Sequence, residues 1–247
     1  MVLNKKNKFF LFDVDGTLTY SRKIIEKNMI DILIKLKSKE NCSLGIVGGS
    51  DHKKILEQIK YPEIFDYIFS ENGVVAYKNN EQYFSESIVN FLGEEKLKKL
   101  LNHCLIYIAN LEIPKKRGTF IELRNGIINI SPIGRNCSQE EREEFYSFNM
   151  KNDILKNFRL NLMKEFEGFN LNFSIGGQIS IDCFPTGWDK RFCLRHIDKN
   201  FSEIYFFGDR TEEGGNDYEI FNDKRVKGYS VRNPEDTIEI LKKILNM

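Results

Sequence analysis

Apolar positions along the chain alternate between two periods. FFLF at 9–12 and SLGIV at 43–47 are short continuous apolar runs, the pattern of strands covered on both faces. Between them Met29, Ile32, Leu33 and Leu36 recur at helical spacing. SDHKKILEQI reads as a second helix, DYIF as a third strand, and ENGVVAY carries an Asn-Gly turn signal. A β-α-β-α-β order of this kind predicts a parallel sheet with right-handed crossovers.

The middle of the chain follows another rule. Leu97, Leu100, Leu101, Cys104, Leu105 and Ile108 predict one amphipathic helix. TFIELRNGIINI turns back at Asn125-Gly126 and LNFSIGGQISIDCF at Gly176-Gly177, so each predicts a hairpin. Between them Ser138 and Glu141 form a capping box that opens a helix. Hairpins alternating with helices predict an antiparallel sheet in an α+β unit. The C-terminal stretch restores the first pattern. EIYFFGD and GYSV read as strands, and NPEDTIEILKKIL as a helix capped by Asn233 with Pro234 in its first position. The expected fold class is α/β, a Rossmann-like core with a parallel sheet formed by residues 1–81 and 186–247. An α+β domain with an antiparallel sheet, 82–185, is inserted into it. Asn/Lys-rich patches such as KNN at 78–80 read as solvated loops.

Composition narrows the partners. The 247 residues, 41% hydrophobic and 30% charged, are those of an ordinary globular chain. Basic and acidic side chains, 37 against 36, leave a formal charge of +1, which speaks against nucleic acid or an anionic membrane. No apolar run approaches the roughly 20 residues that span a bilayer. The leading MVLNKKNKFF holds no signal-like apolar stretch, so a cytoplasmic location is expected. Cys42, Cys104, Cys137, Cys183 and Cys193 lack CxxC spacing and an even count, and read as reduced thiols. His103 and His196 sit in packing contexts, so proton transfer falls to carboxylates.

The carboxylates are oddly placed. Asp13 and Asp15 close the first strand, and Asp209 closes EIYFFGD. In a parallel sheet, ligands bind beyond the carboxyl ends of the strands. Side chains two apart on an extended segment point to the same side, and two carboxylates so placed repel unless a cation joins them. Gly16 lets the chain turn close to a bound group. A turn or capping role explains one such aspartate easily and three at strand ends poorly.

DxDGT resembles the first motif of the haloacid-dehalogenase-like phosphotransferases. The resemblance implies that Asp13 is a nucleophile forming an aspartyl phosphate and Asp15 the general acid/base. Mg²⁺ would be held by Asp13, Asp15 and Asp209. Ser50, in GGSD, would hold the transferred phosphoryl group, a role compatible with capping the following helix. Lys190, in GWDK, would neutralise the nucleophile, and Asn216 and Asp217, in GGND, would support Asp209.

A longer set of motifs resembles the eukaryotic-type α-phosphomannomutases nearly end to end: VDGTLT with Arg22, VGGSD, ENGVVAYK, KRGTFIELRNG, SPIGR, CSQEER, GGQIS-x-D, FPTGWDK and GGNDYEIF. That family implies a catalytic core and a cap, here the insert, that sets specificity and often mediates a homodimer. Arg124, Arg135 and Arg142 would bind the distal phosphate of a hexose bisphosphate, guanidinium being a bidentate phosphate ligand, with Arg22 contributing from the core. Ser180 and Asp182, two apart on one strand, would face the sugar hydroxyls. The chain departs from the pattern in two places. RTEEGGND lacks a proline common before the family's glycines. A second cation held by Phe221, Asp223 and residue 226 meets Val226, which offers only a carbonyl.

The implied activity interconverts mannose 1-phosphate and mannose 6-phosphate, with glucose phosphates as further candidate substrates. It is primed by a hexose 1,6-bisphosphate activator and feeds GDP-mannose synthesis. A sugar phosphatase on the same scaffold carries the same motifs, since it differs only in letting water take the phosphoryl group. A non-catalytic sugar-phosphate sensor has no need of the Asp13 nucleophile.

Overall fold

The computed structural model describes residues 8–247. The leading residues, on which the expectation of no signal-like stretch partly rests, lie outside the described residues. Two compact units emerge, one formed by the described residues through Ser85 with Gly187–Met247, the other by Glu86–Thr186.

The first unit is built on a seven-stranded sheet. Its strands are β1 (Lys8–Phe12), β2 (Ser43–Val47), β3 (Tyr67–Ser70), β4 (Val75–Lys78) and β5 (Glu81–Ser85), and two more that follow the insert. β1, β2 and β3 run parallel, whereas β4 and β5 return antiparallel at one edge. Beyond β1 on the other side lie two further parallel strands, Glu203–Gly208 and Lys227–Ser230. β1 is central, which is why FFLF is apolar throughout. Phe10 and Phe12 pack with Met29, Ile32 and Leu36 of α1 (Lys27–Glu40), while Phe9 and Leu11 pack on the opposite face with Cys193, Leu194 and Phe206. α2 (His52–Ile59) buries Ile55 and Ile59.

Residues 78–80 are exposed, as expected, and their connection is a tight turn. Asn79 and Asn80 both have positive φ, 50° and 65°, as a tight two-residue hairpin turn requires, and Lys78 pairs with Glu81 across it. Asn tolerates that conformation without glycine's freedom. The hairpin therefore adds Glu81–Ser85 to the core sheet, and the insert begins at Glu86 rather than residue 82.

The second unit opens with α3 (Ile88–Asn110), bent at Gly93. It buries Leu97, Leu100, Cys104 and Ile108, but Leu105 faces outward. β6 (Ile121–Leu123) and β7 (Ile128–Ile130) form the Asn125-Gly126 hairpin. Next come α4 (Gln139–Asn152), opened by the Ser138–Glu141 capping box, and α5 (Ile154–Glu165), which the sequence pattern did not separate from its neighbours. β8 (Leu171–Gly176) and β9 (Ser180–Pro185) complete an antiparallel sheet of order β6-β7-β9-β8.

The chain then returns to the first unit through a 3₁₀ helix, Lys190–His196, followed by β10 (Glu203–Gly208), α6 (Tyr218–Phe221), β11 (Lys227–Ser230) and α7 (Pro234–Ile244). The core sheet order is β11-β10-β1-β2-β3-β4-β5. The five cysteines are free thiols, four of them buried. Among the described residues no helix is long and apolar enough to cross a membrane.

Candidate active site

Because β10, β1 and β2 are adjacent and parallel, their carboxyl ends open on the same edge of the sheet. Asp13, Asp209 and the Gly48–Ser50 loop follow those three ends and line a cavity of about 380 Å³ together with Asp15, Arg22 and Asn216.

Asp13 is 5% exposed, and its amide donates to the Phe207 carbonyl at 2.9 Å, continuing the β1–β10 ladder. Lys190, 2% exposed, donates from Nζ to Asp13 Oδ1 and to Asp217 Oδ1, the latter at 2.5 Å. Asp189 places that lysine by capping the 3₁₀ helix, accepting from the Arg191 amide. Asp217 is fully buried and also accepts from the Arg210 amide at 3.2 Å. Gly208 has no side chain because a Cβ there would lie 2.7 Å from the Asp217 carboxyl.

Burial pushes the Asp13 carboxyl up to about 7, against the pull of Lys190 and with the repulsion of Asp217. Burial, then Asp217, also raises Asp209. Burial alone would lower the Lys190 ammonium, but its two carboxylate partners carry it above the ordinary lysine value. Three carboxylates thus share a single ammonium, which leaves a surplus of negative charge.

Oxygens of Asp13, Asp209 and Asp217 lie within 4.8 Å of one another, close enough to share a metal ion. An all-oxygen set suits a hard divalent cation, and the surplus of negative charge fits one. Asp13 and Asp209 line the cavity, whereas Asp217 stands behind them as counter-charge to Lys190. Gly16, at φ +79°, is what admits Asp209: a Cβ there would collide with Asp209 Oδ2. The Asp15 carboxylate is turned elsewhere, accepting on Oδ1 from the Arg22 amide at 2.7 Å and from Gln58 Nε2 at 2.9 Å.

Ser50 is not the helix cap. Asp51 caps α2, accepting from the Lys54 amide at 3.0 Å, and the Ser50 carbonyl accepts from the Glu71 amide. Two adjacent polar residues preceded the helix, and the extended backbone of the second made it the cap. The Ser50 hydroxyl at the cavity is thereby left for a ligand. At the expected second cation site, Phe221, Asp223 and Val226, the carboxylate already has a partner. Asp223 is held through both oxygens by Arg225, at 2.9 and 2.8 Å, and Val226 supplies no side-chain oxygen.

In the second unit, Glu122, Asn129 and Asp182 are cross-strand neighbours on β6, β7 and β9 and so form one polar row. Arg124 and Arg135 both reach Glu122, at 2.9 and 2.8 Å. Arg135 also donates to Asn129 Oδ1, whose amide donates to Ser180 Oγ at 3.0 Å and Asp182 Oδ1 at 2.6 Å. Four of the five expected insert residues therefore belong to one network. Arg142, in the first turn of α4, lies outside it. Glu122, Asn129 and Gln58 escaped the sequence reading. The only sign of the first two was the alternation that put them on the polar face of hairpin strands.

The geometry has close relatives. The sequence model of the family described as eukaryotic phosphomannomutase matches residues 29–247. A phosphomannomutase of Saccharomyces cerevisiae is 51% identical over 247 residues, covering 98% of this chain and 96% of the relative. One of Schizosaccharomyces pombe is 52% identical over 243 residues, covering 96% and 94%. Among solved structures, a haloacid dehalogenase-like hydrolase from Bacteroides thetaiotaomicron shares the fold at 17% identity and a TM-score of 0.63, over 96% of this chain and 99% of that one.

Proposed function

The chain belongs to the eukaryotic phosphomannomutase family, and from that premise we propose how its residues carry out the interconversion of mannose 1-phosphate and mannose 6-phosphate. It is an enzyme with phosphomannomutase activity, so hexose phosphates are its substrates. The observation that carries the mechanism is the buried Asp13–Lys190–Asp217 cluster, of which Asp13 lines the cavity.

Asp13 attacks the phosphorus of a hexose 1,6-bisphosphate, and an aspartyl phosphate forms as the bond to the sugar oxygen breaks. Asp15 gives that oxygen its proton, then takes one from the hydroxyl of the monophosphate that accepts the phosphoryl group. Lys190 balances the charge of the Asp13 carboxylate and of the acyl phosphate formed on it, and the Ser50 hydroxyl holds a phosphoryl oxygen. Asp13, Asp15 and Asp209 would hold a divalent cation, Mg²⁺, with Asn216 and Asp217 supporting the loop. When bound, that ion supplies charge neutralisation on the phosphate oxygens. Arg22 and the insert arginines Arg124, Arg135 and Arg142 bind the distal phosphate, and Ser180 and Asp182 bind sugar hydroxyls. The core and cap act as separate domains, the cap excluding water from the aspartyl phosphate.

The protein works as a homodimer through the cap, whose helices expose Leu105, Ile106, Met150 and Leu160. It resides in the cytoplasm, where its product feeds GDP-mannose synthesis. Light scattering on the purified chain tests the first statement, and a monomer would refute it. Fractionation tests the second.

The central experiment supplies mannose 1-phosphate, Mg²⁺ and a trace of glucose 1,6-bisphosphate, and follows mannose 6-phosphate and free phosphate together. Isomer without free phosphate is expected, and Asp13→Asn should abolish it. Free phosphate without isomer would make the protein a phosphatase. Turnover retained in Asp13→Asn would sink the aspartyl-phosphate route.

A further inference from the structure

Gln58 has no assigned role, yet its amide ends on the group that must move the proton. It lies on α2, three residues after the buried Ile55 and one before the buried Ile59, so its side chain sits at the margin of the helix's packed face. From there Nε2 reaches Asp15 Oδ1 at 2.9 Å and Thr19 Oγ1 at 3.3 Å, and the residue lines the same cavity as Asp13. The backbone braces it as well, since the Gln58 carbonyl accepts from the Ile25 amide at 2.9 Å. Thr19 is 1% exposed and donates its hydroxyl to the Val14 carbonyl, so Gln58 grips a fixed point.

Asp15 immediately precedes the turn at 16–18, where Gly16 is left-handed, and is bridged to Thr19 across it. Its carboxylate is held by two donors, the Arg22 amide and Gln58, both on Oδ1. One oxygen is thereby pinned and Oδ2 is left for proton exchange.

We propose that Gln58 is a positioning residue that holds the Asp15 carboxyl in register with the leaving oxygen in both half-reactions. The inference rests on the reading of Asp15 as general acid/base. A neutral amide donor suits the task. When Asp15 is ionised, the Gln58 NH₂ donates to Oδ1. When Asp15 carries the proton on Oδ2, Oδ1 keeps its lone pairs and accepts the same bond. In the first half-reaction the Asp13–phosphorus bond forms, the phosphorus–sugar oxygen bond breaks, and the proton passes from Asp15 to that oxygen. In the second, the accepting hydroxyl loses its proton to Asp15 as the Asp13–phosphorus bond breaks.

The test varies the leaving group. A sugar alkoxide needs a proton as it departs, whereas p-nitrophenolate leaves without one. Gln58→Met keeps the volume and removes both hydrogen-bonding functions. We expect kcat on a hexose 1,6-bisphosphate to fall about 10- to 100-fold, part of what general acid catalysis supplies, with KM little changed. The first-turnover release of p-nitrophenolate from p-nitrophenyl phosphate, which reports the first half-reaction alone, should keep its rate within about threefold of wild type, which also shows that the variant folds. Gln58→Glu, which sets a like charge beside Asp15, should lose as much on the hexose bisphosphate. Equal losses on both substrates would mean a merely structural role and overturn the inference, as would no loss on either. Failure of the wild-type protein itself to transfer phosphate from the hexose bisphosphate would instead overturn the mechanism of the preceding subsection.

Discussion

Replacing Lys190 by methionine probes the charge balance on which the site depends. The ammonium is 2% exposed and touches two carboxylates whose side chains are 7% and 0% exposed. Methionine fills the volume but leaves Asp13 and Asp217 facing each other without a counter-ion. Removing one partner of a buried ion pair costs about 3–5 kcal/mol. The lower end applies here, because Asp13 can take up a proton near neutral pH and the Arg210 amide still serves Asp217. For a chain of this size ~3 kcal/mol lowers the melting midpoint by about 6–12 °C. The assay is thermal unfolding in EDTA at pH 8 and pH 6, then again with Mg²⁺. The loss should be largest at pH 8, shrink at pH 6 as Asp13 protonates, and narrow with Mg²⁺, which replaces the missing positive charge. A midpoint within about 2 °C of wild type in EDTA at pH 8 would refute the reasoning. So would a loss indifferent to both pH and cation.

Three further outcomes follow from the geometry. Gly16→Ala should cost about 1–2 kcal/mol from its left-handed backbone and weaken divalent-cation binding more than stability, since its Cβ displaces Asp209; calorimetric titration of the apo protein measures this. Cation binding should release a proton near pH 7, because Asp13 must ionise to bind, so affinity should rise from pH 6 to 8 and then level off; a pH-independent affinity in buffers of differing ionisation heat would contradict it. Burial lowers the His196 imidazole, packed among Phe69, Phe84 and Phe192, below the ordinary histidine value. The unfolded chain then binds a proton the folded one refuses, and stability is lost as pH falls through about 6.5. His196→Gln should lose less than wild type between pH 7 and 5.5, and the wild-type-minus-variant difference is the reading because Asp13 acts in the opposite sense.

Much of the core was legible because chemistry and periodicity coincide there. A run such as FFLF has no reason to be apolar on both sides unless both faces are covered, and aspartates at the ends of two such runs fall on one edge once the sheet is parallel. The illegible parts share a physical cause, namely that they depend on backbone angles or on neighbours distant in the chain. Asn79-Asn80 makes a hairpin only through two left-handed residues, which a polar patch does not advertise. Asp51 rather than Ser50 caps α2, a choice between adjacent residues that both suit a cap. Gln58 looks like any helix glutamine until Asp15 is brought beside it. Glu122, which bridges two arginines, was read only as part of a hairpin.

The pairing of β1 with β10 has a consequence for synthesis. Phe9 pairs with Ile204, so the strand bearing the nucleophile leaves the ribosome long before its neighbour exists. At about 5–20 residues per second that wait lasts roughly 10–40 s. Throughout it one flank of an aromatic strand stays unpaired, the kind of edge that recruits other chains. Lys190 also arrives late, so the nascent carboxylates lack their counter-ion until the insert has been made. The nascent chain therefore passes through an interval of exposure to chaperones, and fragments ending before β10 should aggregate rather than fold.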